Sequence, residues 1–158
     1  MDKFIIKTIV VLSLILGAIL GSLAPIPFVG MVMLFAALLL AAPLVVIYLI
    51  MDGKFDLTTI KDSIITGALI GFVSSIAFST VYAIVMTILV KVFNFTTNFL
   101  LTAMITHSPI WLLGVFIVFI GVLSAVTNAF SGFITYYVIN FIRDMYEKKH
   151  EIKNKKEI

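Results

Sequence analysis

The chain has 158 residues, 62% hydrophobic and 12% charged, with a net charge of +3 and a mean hydropathy of +1.22. An average soluble domain is about a quarter charged, so water is excluded as the main solvent. With no cysteine, disulfides, thiolate nucleophiles and thiolate metal sites are excluded as well. The basic excess flanks apolar runs instead of forming one basic face, which argues against a nucleic-acid partner.

Backbone polar groups in lipid must pair within helices or a closed barrel. A barrel needs short stretches alternating apolar and polar, whereas runs such as Ile9 to Leu16, with Ser13 their one polar residue, show no such alternation. The expected fold is therefore an all-α integral membrane protein. It has four transmembrane helices in two hairpins, each close to or above the roughly 20 residues that cross a hydrocarbon core. A short interfacial helix is expected between the third and fourth. Residues 1–150 form one domain, and 151–158 a charged tail.

The first segment, 4–23, ends at Ala24-Pro25-Ile26-Pro27. Lys3 and Lys7 resemble the basic start of a secretory signal, and Ser22-Leu23-Ala24 a cleavage point. Pro25 would follow that cut and disfavours it, so the segment reads as a helix. The second segment, 28–51, contains Pro43, which removes a backbone donor and should bend the helix. It closes on the turn signal Asp52-Gly53-Lys54. The third, 59–93, starts with Thr59 and Asp62 in capping-box spacing. It exceeds a minimal span, so it must tilt or project beyond the hydrocarbon.

Residues 94–109 are mildly apolar and carry the expected interfacial helix. Asn94-Phe95-Thr96 within them matches a glycosylation sequon. The fourth helix covers 110–149, with Trp111 as an interfacial anchor. Tyr48, Tyr136 and Tyr137 anchor the other side or fill packing gaps. Residues 151–158 read as frayed.

Ten of the eleven Lys and Arg fall at one set of helix ends: Lys3, Lys7, Lys54, Lys61, Arg143, Lys148, Lys149, Lys153, Lys155 and Lys156. Only Lys91 lies at the other. Positive charge favours the cytoplasmic face, which predicts a multi-pass cell-membrane protein with both termini in the cytoplasm. The tail's net excess of +2 supports this orientation better than it supports a specific lipid site.

Lipid tails are as apolar as leucine, so helices associate in membranes by close packing and hydrogen bonding. Small residues recur at four-residue spacing in three segments. The candidate packing positions are Gly17 and Gly21, then Gly67, Gly71, Ser75 and Ser79, then Gly121 and Ala125. Gly17-Ala18-Ile19-Leu20-Gly21 also echoes Gly67-Ala68-Leu69-Ile70-Gly71, compatible with a duplicated hairpin or with convergent packing.

Asn128 is the most informative polar group, flanked by Ser124 and Thr127, with Ser74 and Thr80 of the third segment at similar expected depth. These five either join helices or line a path for a polar solute. No Asp, Glu, Lys, Arg or His interrupts the interior of any apolar span, which argues against a proton relay. Neither His107 nor His150 has metal-ligand spacing, and His107 has no obvious acid to orient it. Asp52, Asp56 and Asp62 are explained by turns and capping.

No catalytic, cofactor-binding or metal-binding residue is expected. The sequence therefore suggests a non-enzymatic membrane protein, an oligomeric or accessory subunit assembled through small-residue seams, with lipid and a homo-oligomer or membrane-protein partner around it. The alternative is a small transporter or channel for a neutral or weakly polar solute.

Overall fold

The computed structural model describes residues 3–53 and 59–156, and side chains as far as residue 149. Lys54 and Asp56 of the middle loop lie outside the described residues. Those described form helices joined by short connections: α1 (Lys3–Leu23), α2 (Val29–Phe35), a π-helical segment (Ala36–Leu40), α3 (Ala41–Met51), α4 (Ile60–Phe93), α5 (Phe99–His107) and α6 (Ile110–Lys156). Four stretches are long and apolar enough to cross a membrane: α1, the run Val29–Met51, α4 and the first 40 residues of α6. The protein is thus an all-α, four-span membrane protein, with α5 as the expected short helix between the last two spans.

Helix ends follow local chemistry. The Thr59 hydroxyl accepts from the Asp62 N–H at 3.1 Å and donates to the Asp62 carboxylate at 2.7 Å, capping the first turn of α4. Asn94 ends α4 in the left-handed conformation, φ 51°, which Asn tolerates better than most residues. Asn98 then caps α5 by accepting from Leu101 N–H at 3.1 Å. The last helix runs on to Lys156, past the expected end at 149, and residues 157–158 lie outside the described residues. Extending an existing helix requires no new nucleus, and the Glu and Lys of this stretch are good helix formers.

α4 is the central element. Gly17 of α1 lies on the Ser74 carbonyl and Gly21 on the Phe78 carbonyl, so α1 and α4 run parallel. On α6, Asn128 meets Gly67, Ser124 meets Gly71, and Gly132 meets Ser63, so α4 and α6 run antiparallel. The run from α2 to α3 packs on the same bundle through two apolar clusters. One joins Ile9 of α1, Ala41, Val46 and Leu49 of α3, and Ile70 of α4. The other joins Leu20, Ala24, Ala37 and Phe78.

These registers place Lys3, Lys7 and Lys61 at one end, here called the basic end, with the charged part of α6 continuing past it. α4 runs fifteen residues beyond Phe78, whereas α1 ends two residues after Gly21. At 1.5 Å per residue, α4 rises about 20 Å above the far end of α1. Phe116, Phe119, Val126 and Phe130 on α6 are exposed, as are Ile15 and Ile19 on α1. An apolar outer surface of this extent suits contact with lipid.

Candidate functional site

The densest polar chemistry lies where α6 crosses the π-helical segment. Pro43 has no N–H to offer the carbonyls one turn back, and its ring crowds the carbonyl four residues earlier. The chain answers by widening into a π turn over Ala36–Leu40, a known response to a local disruption of the α ladder. Backbone groups left without helical partners must then be paired from elsewhere, because a membrane interior offers no bulk water to them.

Asn128 supplies the pairing. Its Oδ1 accepts from Ala42 N–H at 2.8 Å, while its Nδ2 donates towards the Leu38 carbonyl at 2.8 Å and the Ala37 carbonyl at 3.2 Å. The Nδ2 group also lies 3.1 Å from the Ser124 carbonyl and 3.2 Å from Ser124 Oγ. The hydroxyl of Thr127 donates to the Leu38 carbonyl at 2.6 Å, and that of Ser124 approaches the Ala37 carbonyl at 3.4 Å. Asn128 and Ser124 are fully buried. Because Oδ1 takes the Ala42 proton, the amide can point only one way: acceptor to the N–H, donors to the carbonyls.

Close backbone approach makes this possible. A Cβ on Gly71 would strike the Ser124 carbonyl and Asn128 Cβ, and one on Gly67 would strike the Asn128 carbonyl. A Cβ on Gly132 would come within 2.6 Å of the Ser63 carbonyl, and the Ser63 hydroxyl donates to the Gly132 carbonyl at 2.6 Å. Glycine is thus required along the α4–α6 contact for steric reasons.

Of the packing positions read from the sequence, Gly17, Gly21, Gly67 and Gly71 are all in close helix contacts within this chain. Gly121 is looser, since its nearest neighbours would be the flexible ends of Ile76 and Phe72 at 3.0–3.4 Å. Ser75 and Ser79 are buried, and Ala125 is half-buried. The Ser75 hydroxyl is the one buried side-chain polar atom without a partner among the described residues.

The five residues suggested for a polar path are not gathered into one lining. Asn128, Ser124 and Thr127 bind the backbone of the π segment. Ser74 is buried and its hydroxyl turns back to the Gly71 carbonyl at 3.3 Å, beside Gly17 of α1. Thr80 is exposed on the outside of α4. Sequence reasoning set Asn128 against the hydroxyls of the third segment, whereas its partners are backbone groups of the second. The available signal was Pro43, which leaves carbonyls in need of a donor. Ala37, Leu38 and Ala42 carry no polar side chain, so nothing else marked them.

Among the remaining candidates, Tyr136 packs against the Ile9–Leu49 cluster, while Tyr48, Tyr137 and Trp111 are exposed. Among the described residues, no three of His, Asp and Glu converge. In comparisons with family models, curated proteins and solved structures, nothing matches this chain. Its class therefore rests on its own helices: a four-span, multi-pass membrane protein with a hydrogen-bonded helix junction at mid-span.

Proposed function

We propose that this protein is a non-enzymatic accessory or self-assembling subunit of a cell-membrane complex, with the basic end in the cytoplasm. The observation that carries this reading is the commitment of Asn128, Ser124 and Thr127 to the backbone of the π segment. Polar groups bound to helix backbone stiffen a bundle and are withdrawn from any solute route. The glycine seams support the same reading in a modified form. They close α1 on α4 and α4 on α6 inside one chain, so they build the subunit instead of joining two copies.

A partner is then met by the outside of the bundle. α6 offers the most surface, because its most apolar window is 11% buried, against 22–33% in the other spans. Gly114 on that helix has nothing within 4 Å of where a Cβ would stand. Intact-mass measurement of the protein extracted in native-lipid discs tests the proposal. The expected result is a defined oligomer or a stoichiometric membrane partner, and a monomer without partner would contradict it.

A further inference from the structure

We propose that the far-end cleft between the α1–α2 turn and α4 binds the head of a neutral glycerolipid of the diacylglycerol type. The cleft encloses about 260 Å³. Ile26, Phe28, Met31 and Phe78 give it apolar walls, and Tyr82, Thr97 and Asn98 give it one polar edge. Its volume is below the 300–1,000 Å³ or so of whole small-molecule sites. It accommodates a glycerol head and first methylenes, leaving the acyl chains in the bilayer along exposed Phe28 and Met31.

Hydrogen bonding on the polar edge selects the head group. Asn98 Nδ2 donates to the Tyr82 hydroxyl oxygen at 3.3 Å, and Asn98 Oδ1 accepts from Leu101 N–H. Thr97 turns its proton to the Met86 sulfur at 3.2 Å. The Tyr82 hydroxyl, having accepted from Asn98, has its own proton left to donate, and no acceptor takes it among the described residues. The cleft thus presents a donor to an ester carbonyl or hydroxyl oxygen. None of its lining residues is a Lys, Arg, His, Asp or Glu, so an anionic phosphate head would lose its hydration without meeting a cation.

The position suits a lipid head. The cleft sits on the step where α1 ends and α4 continues, beside the Leu20–Ala24–Phe78 cluster. α1 has 21 residues, about 30 Å at 1.5 Å per residue, so its far end lies about one hydrocarbon thickness from the basic end. The turn is also held in an unusual shape. Phe28 is 93% exposed at φ 66° and ψ −42°, the strained geometry of a γ-turn, which costs a bulky residue free energy and is concentrated at ligand sites. Val29 N–H to the Pro27 carbonyl (2.8 Å) and Gly30 N–H to the Ile26 carbonyl (2.9 Å) hold it, with Gly30 lying directly on the Ala24 carbonyl.

The test uses the full chain in phosphatidylcholine nanodiscs containing dioleoylglycerol with a diazirine near the head of one chain. After irradiation, labelled peptides are mapped by mass spectrometry. Labelling is expected to concentrate in residues 24–34 and 78–82, and to be competed by unlabelled dioleoylglycerol but not by dioleoylphosphatidate. Tyr82→Phe should weaken competition about fivefold, one hydrogen bond's worth, at unchanged melting temperature. Even labelling of all lipid-facing helices, equal competition by phosphatidate, or an unaltered Tyr82→Phe variant would each overturn the proposal. The competition arm uses the unmodified protein and holds even if the variant folds poorly.

Discussion

The two seams of α4 are written in nearly the same letters and behave differently. Gly17 and Gly21 set α1 parallel to α4, resting on the Ser74 and Phe78 carbonyls. Gly67 and Gly71 set α4 antiparallel to α6, and there the close approach carries hydrogen bonds as well: Ser63 to Gly132, and Asn128 onward to Ala42, Ala37 and Leu38. The echo between Gly17–Gly21 and Gly67–Gly71 therefore reflects a shared need for proximity. It joins helices of opposite relative direction in the two cases, which fits convergent packing better than duplication.

This contrast can be broken by substitution. The largest effect is expected from Gly71→Leu, which drives a side chain into the Ser124 carbonyl and Asn128 and should destabilise the bundle by about 3 kcal/mol or more. Thermal unfolding in mild detergent reads it, and a near-normal melting temperature would show that α6 does not depend on this contact. Asn128→Ala comes next, at about 2 kcal/mol, because it leaves Ala42 N–H and part of the Ala37 and Leu38 carbonyl pairing unmet in a buried contact. Thr127 and Ser124 still cover the carbonyls, which keeps the loss from being larger.

Gly17→Ala should cost about 1–2 kcal/mol by pushing α1 off the Ser74 carbonyl, with no hydrogen-bond network lost. Its loss of stability should add to that of Asn128→Ala, as expected for changes without shared partners. A marked departure from additivity would mean that the two seams are one coupled unit. Smallest is Gly114→Ala, where nothing stands within 4 Å. It should be neutral or stabilise by up to about 1 kcal/mol through helix propensity, and a loss there in native-lipid discs, absent in detergent, would mark Gly114 as a partner contact.

The spans were legible because apolar length and segregated charge are one-dimensional signals. The caps at Thr59 and the short α5 were readable for the same reason, since each rests on neighbours in sequence. The glycines announced close approach but not its target, because spacing says which face is small and nothing about which helix meets it. Asn128 was visible as a buried amide, yet its partners were hidden in the peptide groups of Ala37, Leu38 and Ala42. The prolines of Ala24–Pro27 marked the turn, but the Phe28 conformation and the cleft gave no pattern in advance, because the cleft arises from three separate stretches meeting at the step between short and long helices.

Amide hydrogen exchange at Ala42, compared between the unmodified protein and Asn128→Ala, tests most directly whether the mid-span polar cluster holds helices together. Ala42 N–H is expected to be strongly protected in the unmodified protein. In the variant it should exchange at least about tenfold faster, which corresponds to 1.4 kcal/mol of lost protection, while the amide of Phe78 keeps its rate. An Ala42 amide that exchanges as fast as that of exposed Gly53, or one that Asn128→Ala leaves unchanged, would contradict the account.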